Sequence, residues 1–365
     1  MLENGKISDH QTMLLLIATV LPTSIFSLPA FTAAEAKEDA WLSVIIASFI
    51  GVAVILNIVA LGRKFPGKTI LEYSEDIVGK IPGKFVGLIL IGFFLYLTAL
   101  TTREFTEFML SVFLEDMPML VLVVSILFVS ALAVLQGLEV ISRLNVILIT
   151  IVVGFFLLSL VMAAEEFQPI RILPFFANGI LPIIKGSFPV AGRIGEVFVL
   201  AFLLPYMNQT LSARRTGLSA VLILTSLFSL TVLVAILCFG ALQTGRLLFP
   251  NYMVARNIII TDIIERVESV FMLIWVVGAF TKITICYYIT VLATGQWLKL
   301  SRYQSLVLPI GTLIVALVLI IHVNISELVG FLRKIWSPYA LSIELGIPFI
   351  LLTIAFIGRK GVKMS

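Results

Sequence analysis

The stretch VLPTSIFSLPAF, residues 20–31, lies inside a long apolar run and carries Pro22 and Pro29 with Thr23, Ser24 and Ser27 between them. A proline lacks the amide donor and its ring clashes with the carbonyl four residues back, so each costs a helix interior roughly 3 kcal/mol. What the chain does with this interruption decides its architecture.

The run belongs to a chain of 365 residues that is 60% hydrophobic and 13% charged, whereas soluble domains are about 45–50% apolar and 25% charged. A membrane-spanning helix takes about 20 apolar residues. Segments of that kind fall at 11–35, 40–62, 84–113, 118–137, 144–163, 182–207, 216–240, 267–297, 304–322 and 338–358. They predict an all-α integral membrane protein of ten transmembrane helices with no separate soluble domain. A signal peptide is the other reading of the first segment, since Lys6 precedes it and Ala34-Glu35-Ala36 mimics a cleavage site. Glu3 and Asp9 dilute the basic region, however, and the run is too long.

With ten spans the net charge of +4 divides unevenly. Lys6, Arg63, Lys64, Lys68, Lys80, Lys84, Arg143, Arg214, Arg215, Lys299, Arg302, Arg359, Lys360 and Lys363 fall on one side. Lys37, Arg171, Lys185, Arg246, Arg256, Arg266, Arg333 and Lys334 fall on the other. The positive-inside rule then places both termini in the cytoplasm, and Trp41, Trp297 and Trp336 at span ends read as an aromatic belt. Cys238 and Cys286 fall within spans and suggest neither a disulfide framework nor a zinc site.

A second interrupted segment, KGSFPVAGRIGEVF at 185–198, carries Pro189, Gly192 and Gly195 beside Arg193, Ile194 and Glu196. It occupies span six, as the opening stretch occupies span one. Breaks at matching positions of two five-helix halves point to an inverted-repeat transporter architecture with its site at the breaks. The halves are expected at about 8–163 and 182–358. Free amides of a half-helix receive an anionic group and freed carbonyls a cation, so Pro22, Thr23, Ser24, Ile25 and Phe26, with Gly192 to Glu196, are candidate ligand contacts. The alternative is a pair of plain proline kinks repaired by Ser and Thr hydroxyls.

Ionisable groups inside spans cost at least about 2.5–3.5 kcal/mol on insertion scales. Arg103 and Glu107 in LTTREFTEFM are four apart on one helical face, with Glu104 offset by one. They read either as a structural ion pair or as a wall of the ligand cavity. Arg193 and Glu196 read as a pair, or as groups that exchange partners with a ligand carboxylate or amine. Lys282, mid-span in GAFTKITICYY, could replace a sodium ion or release a proton. Glu344 is expected near the outer interface, and His10 and His322 near span ends suggest no metal cluster. Segments 165–186 and 251–265, the latter with Ile258, Ile259, Asp262 and Ile263, read as interfacial helices. No nucleophile elbow, phosphate loop, HExxH or paired-cysteine spacing supports an enzyme, and no cofactor is implied.

The runs ISDHQ before span one, DAW at 39–41, RKFPGKTILEY at 63–73, REFTEF at 103–108, GLEVISR at 137–143 and GE at 195–196 together resemble the spore germination permease family. These are the B subunits of bacterial nutrient germinant receptors, and the resemblance covers essentially the whole chain. The family is similar to amino acid, polyamine and organocation transporters. It therefore implies a LeuT-like 5+5 inverted repeat with spans one and six discontinuous. It also implies a place in the spore inner membrane, a small nutrient ligand, often an amino acid, and two partners: a membrane-anchored A subunit and a lipoprotein C subunit. Where family members often carry a glycine-rich break in span one, this chain has Pro22, Thr23 and Ser24, which leaves less room for a carboxylate at the backbone and leaves open a different ligand. A germinant-sensing subunit, a proton-coupled amino-acid transporter using Glu196 or Lys282, and a scaffold with a vestigial pocket all fit the sequence.

Overall fold

The computed structural model describes residue 3 and residues 5–257 and 268–361. The described chain is helical, in the order α1 (Asp9–Ala36), α2 (Ala40–Lys64), α3 (Ile70–Val78), α4 (Lys80–Val112), α5 (Met119–Gln136), α6 (Leu138–Met162), α7 (Ile180–Ile194) and α8 (Leu200–Leu203). There follow α9 (Ala213–Phe239), α10 (Ala241–Thr244), α11 (Pro250–Arg256), α12 (Glu268–Trp297), α13 (Val307–Ile320), α14 (Ile325–Lys334), α15 (Trp336–Leu341) and α16 (Ile347–Ile357). Among the described residues eight helical stretches are long and apolar enough to cross a membrane, or nine if α13 and α14, bent by 101°, count as one. Asp9–Lys64 enters that count as a single stretch.

The elements sort into layers by what they bury. From Leu15 to Ala33 every residue of α1 is buried, and the described side chains of α12 from Thr281 to Ala293 are buried too, so these helices form the centre. In contrast, α5, α6 and α16 leave Phe128, Leu132, Ile147, Ile151 and Phe349 exposed on one side. A stripe of large apolar side chains facing outward is what a lipid-facing helix presents.

α1 begins at a capping box: Ser8 Oγ accepts from Gln11 N at 3.2 Å, and Gln11 Oε1 accepts from Ser8 N at 2.8 Å. It runs as one α-helix through Pro22 and Pro29, where the sequence predicts a break. Hydroxyls bind carbonyls along its length, Ser24 to Val20 at 2.8 Å and Thr32 to Leu28 at 3.0 Å. The carbonyl of Ile25, which Pro29 deprives of its helical donor, accepts instead from the side-chain amide of buried Asn251 in α11. In the sixth segment α7 tightens at Gly195–Val199 into a 3₁₀ turn before α8. There too the chain stays helical, at a changed pitch.

A short N-terminal strap closes one end of this segment. Ile7 N donates to Tyr206 O and Asn208 N to Ile7 O, both at 2.9 Å, and Lys6 Nζ reaches Pro205 O at 2.9 Å. Glu3 Oε2 accepts from Tyr288 at 3.0 Å, Tyr303 at 3.1 Å and the amide of Leu138 at 3.1 Å. Leu138 opens α6 directly after Gly137, whose φ of +86° disfavours a side chain.

Two surface expectations change, and a third falls mostly outside the described residues. Segment 165–186 is no interfacial helix. Pro169 and Pro174 withhold donors, and the chain forms short 3₁₀ turns at Ala163–Glu166 and Pro169–Ile172 before α7. Of segment 251–265, α11 takes the start; Ile258, Ile259, Asp262 and Ile263 lie outside the described residues, as do Arg266 and Lys363. Trp336 is fully buried, stacked 6.0 Å from Phe93, and so is no belt residue.

Candidate functional site

Thr23 is the meeting point of three helices. Pro22 beside it packs on α12 at Gly278, where even a Cβ would collide with the ring, so the two backbones approach closely. That contact brings Lys282, one turn further along α12, to Thr23: its Nζ donates to Thr23 Oγ1 at 2.8 Å and to Glu196 Oε2 at 2.7 Å. From α7, Arg193 Nη1 donates to the same Thr23 oxygen at 3.1 Å.

Arg193 does not pair with Glu196, three residues on, as the sequence suggests. Its guanidinium forks onto Glu104 of α4, with contacts of 2.5 and 3.3 Å. Each takes its partner from another helix: Glu104 of α4 reaches Arg193, and Lys282 of α12 takes Glu196. Arg103 and Glu107 do pair, at 2.6 Å, and Arg103 also donates to Val318 O at 3.0 Å. The network is dry: the Lys282 and Glu196 side chains are 0% exposed, and Arg193 and Glu104 are 4% and 7%. Pairs buried to this depth are strongly destabilised by loss of either partner, because the survivor keeps its desolvation cost.

Next to the network lies a cavity of about 30 Å³, bounded by Thr23, Phe26, Ser27, Glu104, Glu107 and Trp275, with the apolar face of α14 over it. It has room for two or three waters at the roughly 10–15 Å³ each needs. Phe26 sits edge-on to Trp275 at 4.4 Å and tilted on Phe108 at 4.9 Å, forming an aromatic wall. One side is thus carboxylates and a hydroxyl, the other aromatic and aliphatic. An aliphatic amine or zwitterion with an apolar side chain matches that surface, provided α14 yields space. Arg333 of α14, 3.2 Å from Glu35 of α1, ties this cover to α1 through a partly exposed pair.

The structure brings together Thr23, Phe26, Arg103, Glu107, Arg193, Glu196 and Lys282. Others of the candidate positions pack elsewhere. Ser24 turns back to its own helix, the Ile25 carbonyl faces Asn251, Gly192 lies against Ser337, Ile194 against Gly51, and Gly195 against Glu344. Glu344 is corrected outright: it is fully buried in a π turn at Ser342–Gly346 and not near an interface. Sequence reasoning missed Glu104 as a partner and Trp275 as a wall. Glu104 did carry a signal, since it lies about 100° round the helix from Arg103 and needed a cation elsewhere.

Comparison with known proteins bears on this geometry. A family model described as "Spore germination protein" matches residues 6–327. The chain is similar to spore germination protein KB of Bacillus subtilis (strain 168), 27% identical over 330 residues, 89% of this chain and 88% of that one. It is similar to spore germination protein YndE of the same strain, 26% identical over 364 residues, 98% of this chain and 99% of that one. In fold it is similar to a Na⁺-coupled sialic acid symporter in a substrate-bound outward-open state, with TM-score 0.70 at 14% identity, covering 99% of this chain and 92% of that one. It is likewise similar to MhsT in complex with L-phenylalanine, with TM-score 0.61 at 13% identity, covering 95% and 97%.

Proposed function

From the premise that the chain belongs to the spore germination permease family, we propose that it is the germinant-sensing membrane subunit of a nutrient receptor, binding a small nutrient beside Thr23. The observation that carries the reading is the shared acceptor. Arg193 and Lys282 both donate to one hydroxyl while each also holds its own carboxylate. A ligand carboxylate arriving at Thr23 competes for two cations at once, and a ligand amine competes for Glu104 and Glu107. Either exchange loosens α1, α4, α7 and α12 relative to one another, which partner subunits can read. Moving an equilibrium from 1:99 to 99:1 takes about 5.5 kcal/mol of differential affinity. An amino acid is the ligand class this arrangement favours.

The reading includes ten spans, obtained when α1 and α2 count separately and α13 counts as a span. These form two inverted five-helix halves at about 8–163 and 182–358, with the site between span one, which stays helical through its prolines, and the 3₁₀ turn of span six. It places both termini in the cytoplasm, the chain in the spore inner membrane beside membrane-anchored A and lipoprotein C subunits, and excludes enzymatic activity. Likeness in fold to a symporter favours a second reading, proton-coupled amino-acid uptake through the same pocket.

A thermal-unfolding panel of the purified protein against amino acids, sugars and nucleosides tests the site. Ligand at 100 times its Kd adds about 2.7 kcal/mol of stability. Stabilisation of wild type by one compound, lost in R193A and E196Q, supports the pocket; a compound that stabilises all three alike places the ligand elsewhere. Liposome flux abolished by an uncoupler moves the assignment to the transporter, and saturable binding without flux keeps it with the sensor.

A further inference from the structure

Among the described residues, seven acidic and basic side chains gather around the site and the sixth segment, and six of them are matched. Arg103 takes Glu107, Arg193 takes Glu104 and Lys282 takes Glu196, each within 2.7 Å. The seventh is Glu344. It is fully buried, and neither of its carboxyl oxygens has a hydrogen-bond partner among the described residues. The cations are used up, so an ionised Glu344 would leave one unmatched negative charge in the membrane interior.

Its position is specific. The π turn Ser342–Gly346 between α15 and α16 sets Glu344 against Gly195, where a Cβ would collide with a carboxyl oxygen, and Leu341 Cδ2 shares that contact. Single π turns inside helices recur at functional sites. The charged and titratable groups around it are Glu196 in the 3₁₀ turn, Arg193 on α7, and Lys282 and Cys286 on α12. α2 also packs on the turn, with ionisable residues only in its last turn, Arg63 and Lys64. The nearest cations are committed to other carboxylates, and the nearest acid, Glu196, is of like charge and has its own Oε1 without a partner.

An isolated buried carboxylate is so costly that the group gives up its charge instead. A hard metal cation would need a shell of about six or more oxygens, and here leucine and glycine share the contact. We propose that Glu344 is a proton-binding site, occupied by a proton in this conformation and set at the contact between the π turn and the 3₁₀ turn of the sixth segment. The proton sits on one carboxyl oxygen; releasing it leaves Glu344 and Glu196 as two carboxylates facing the same turn, which couples proton occupancy to the packing of α15 and α16 on Gly195. Glu196 and Lys282, each neutralising the other, are poorer places to carry a proton than this unmatched acid. The inference concerns the chain without ligand and does not depend on which nutrient binds.

The test is hydrogen–deuterium difference infrared spectroscopy of the full chain in lipid nanodiscs near neutral pH. Wild type is expected to show a protonated-carboxyl C=O band that shifts in D₂O. The band should be absent in E344Q, shifted in frequency but present in E344D, and retained in E196Q. With the proton already there, E344Q is expected to unfold within about 2 °C of wild type. A wild-type spectrum without that band, or a band that persists in E344Q, overturns the proposal. So does a rise in Tm with sodium or potassium that E344Q abolishes, which would make the site a metal-cation site.

Discussion

Asn251 donates its side-chain amide to the carbonyl of Ile25, the one acceptor in α1 that Pro29 strips of its helical donor. A residue 226 positions away thus completes a helix that its own sequence leaves incomplete.

The pair makes a clean double-mutant cycle. Asn251→Leu should destabilise by about 1–3 kcal/mol, the cost of an unsatisfied buried acceptor. Pro29→Ala supplies the missing amide, so Asn251→Leu on that background should cost clearly less. Equal costs on both backgrounds, in thermal or denaturant unfolding, would show that the amide serves some other purpose.

Breaking the Arg193–Glu104 fork should cost roughly 3–5 kcal/mol from either side, because the remaining charge stays buried. Arg193→Met and Glu104→Gln are each expected to lose that much, and the double variant to recover part of it. Losses that simply add would mean the two groups do not depend on each other.

Gly278→Val should be more harmful than its small volume suggests. The side chain meets the Pro22 ring, and overpacking of this kind costs typically 1–3 kcal/mol. Pulling α12 off α1 also lengthens the Lys282–Thr23 contact, so ligand-dependent stabilisation should fall with it. Wild-type response in the variant would argue against Thr23 as the hub.

The His322 ring, in the bend between α13 and α14, is buried 5.0 Å from Phe331 of α14. His322→Ala removes that packing and should loosen the cover over the cavity and lower the Tm; an unchanged Tm would show that the bend is held by other contacts.

The spans were readable in the sequence because their signal is local: about 20 apolar residues in a row, bounded here by charges and glycines. The same holds for Arg103 and Glu107, since four residues return to one helical face. Partners across the fold carry no such periodicity. Which helix meets Arg193 is set by packing 89 residues away in sequence, and so the sequence suggested Glu196 for Arg193 where the structure has Glu104. The prolines of α1 misled for a related reason. Their cost is local, but part of its relief, Asn251, is not. Glu344 reads as an ordinary residue near a span end until the π turn draws it inward.

The strap formed by Glu3 and residues 5–8 gives this molecule a handle. Ile7 is bonded to Tyr206 and Asn208 at the far end of the sixth segment, so a displacement there tugs directly on Ile7 and its neighbours. A fluorophore attached beside Ile7 would report that displacement from outside the pocket, while a bulky affinity tag joined at the same place would jam it. Tagging at the opposite terminus leaves the clasp free to move.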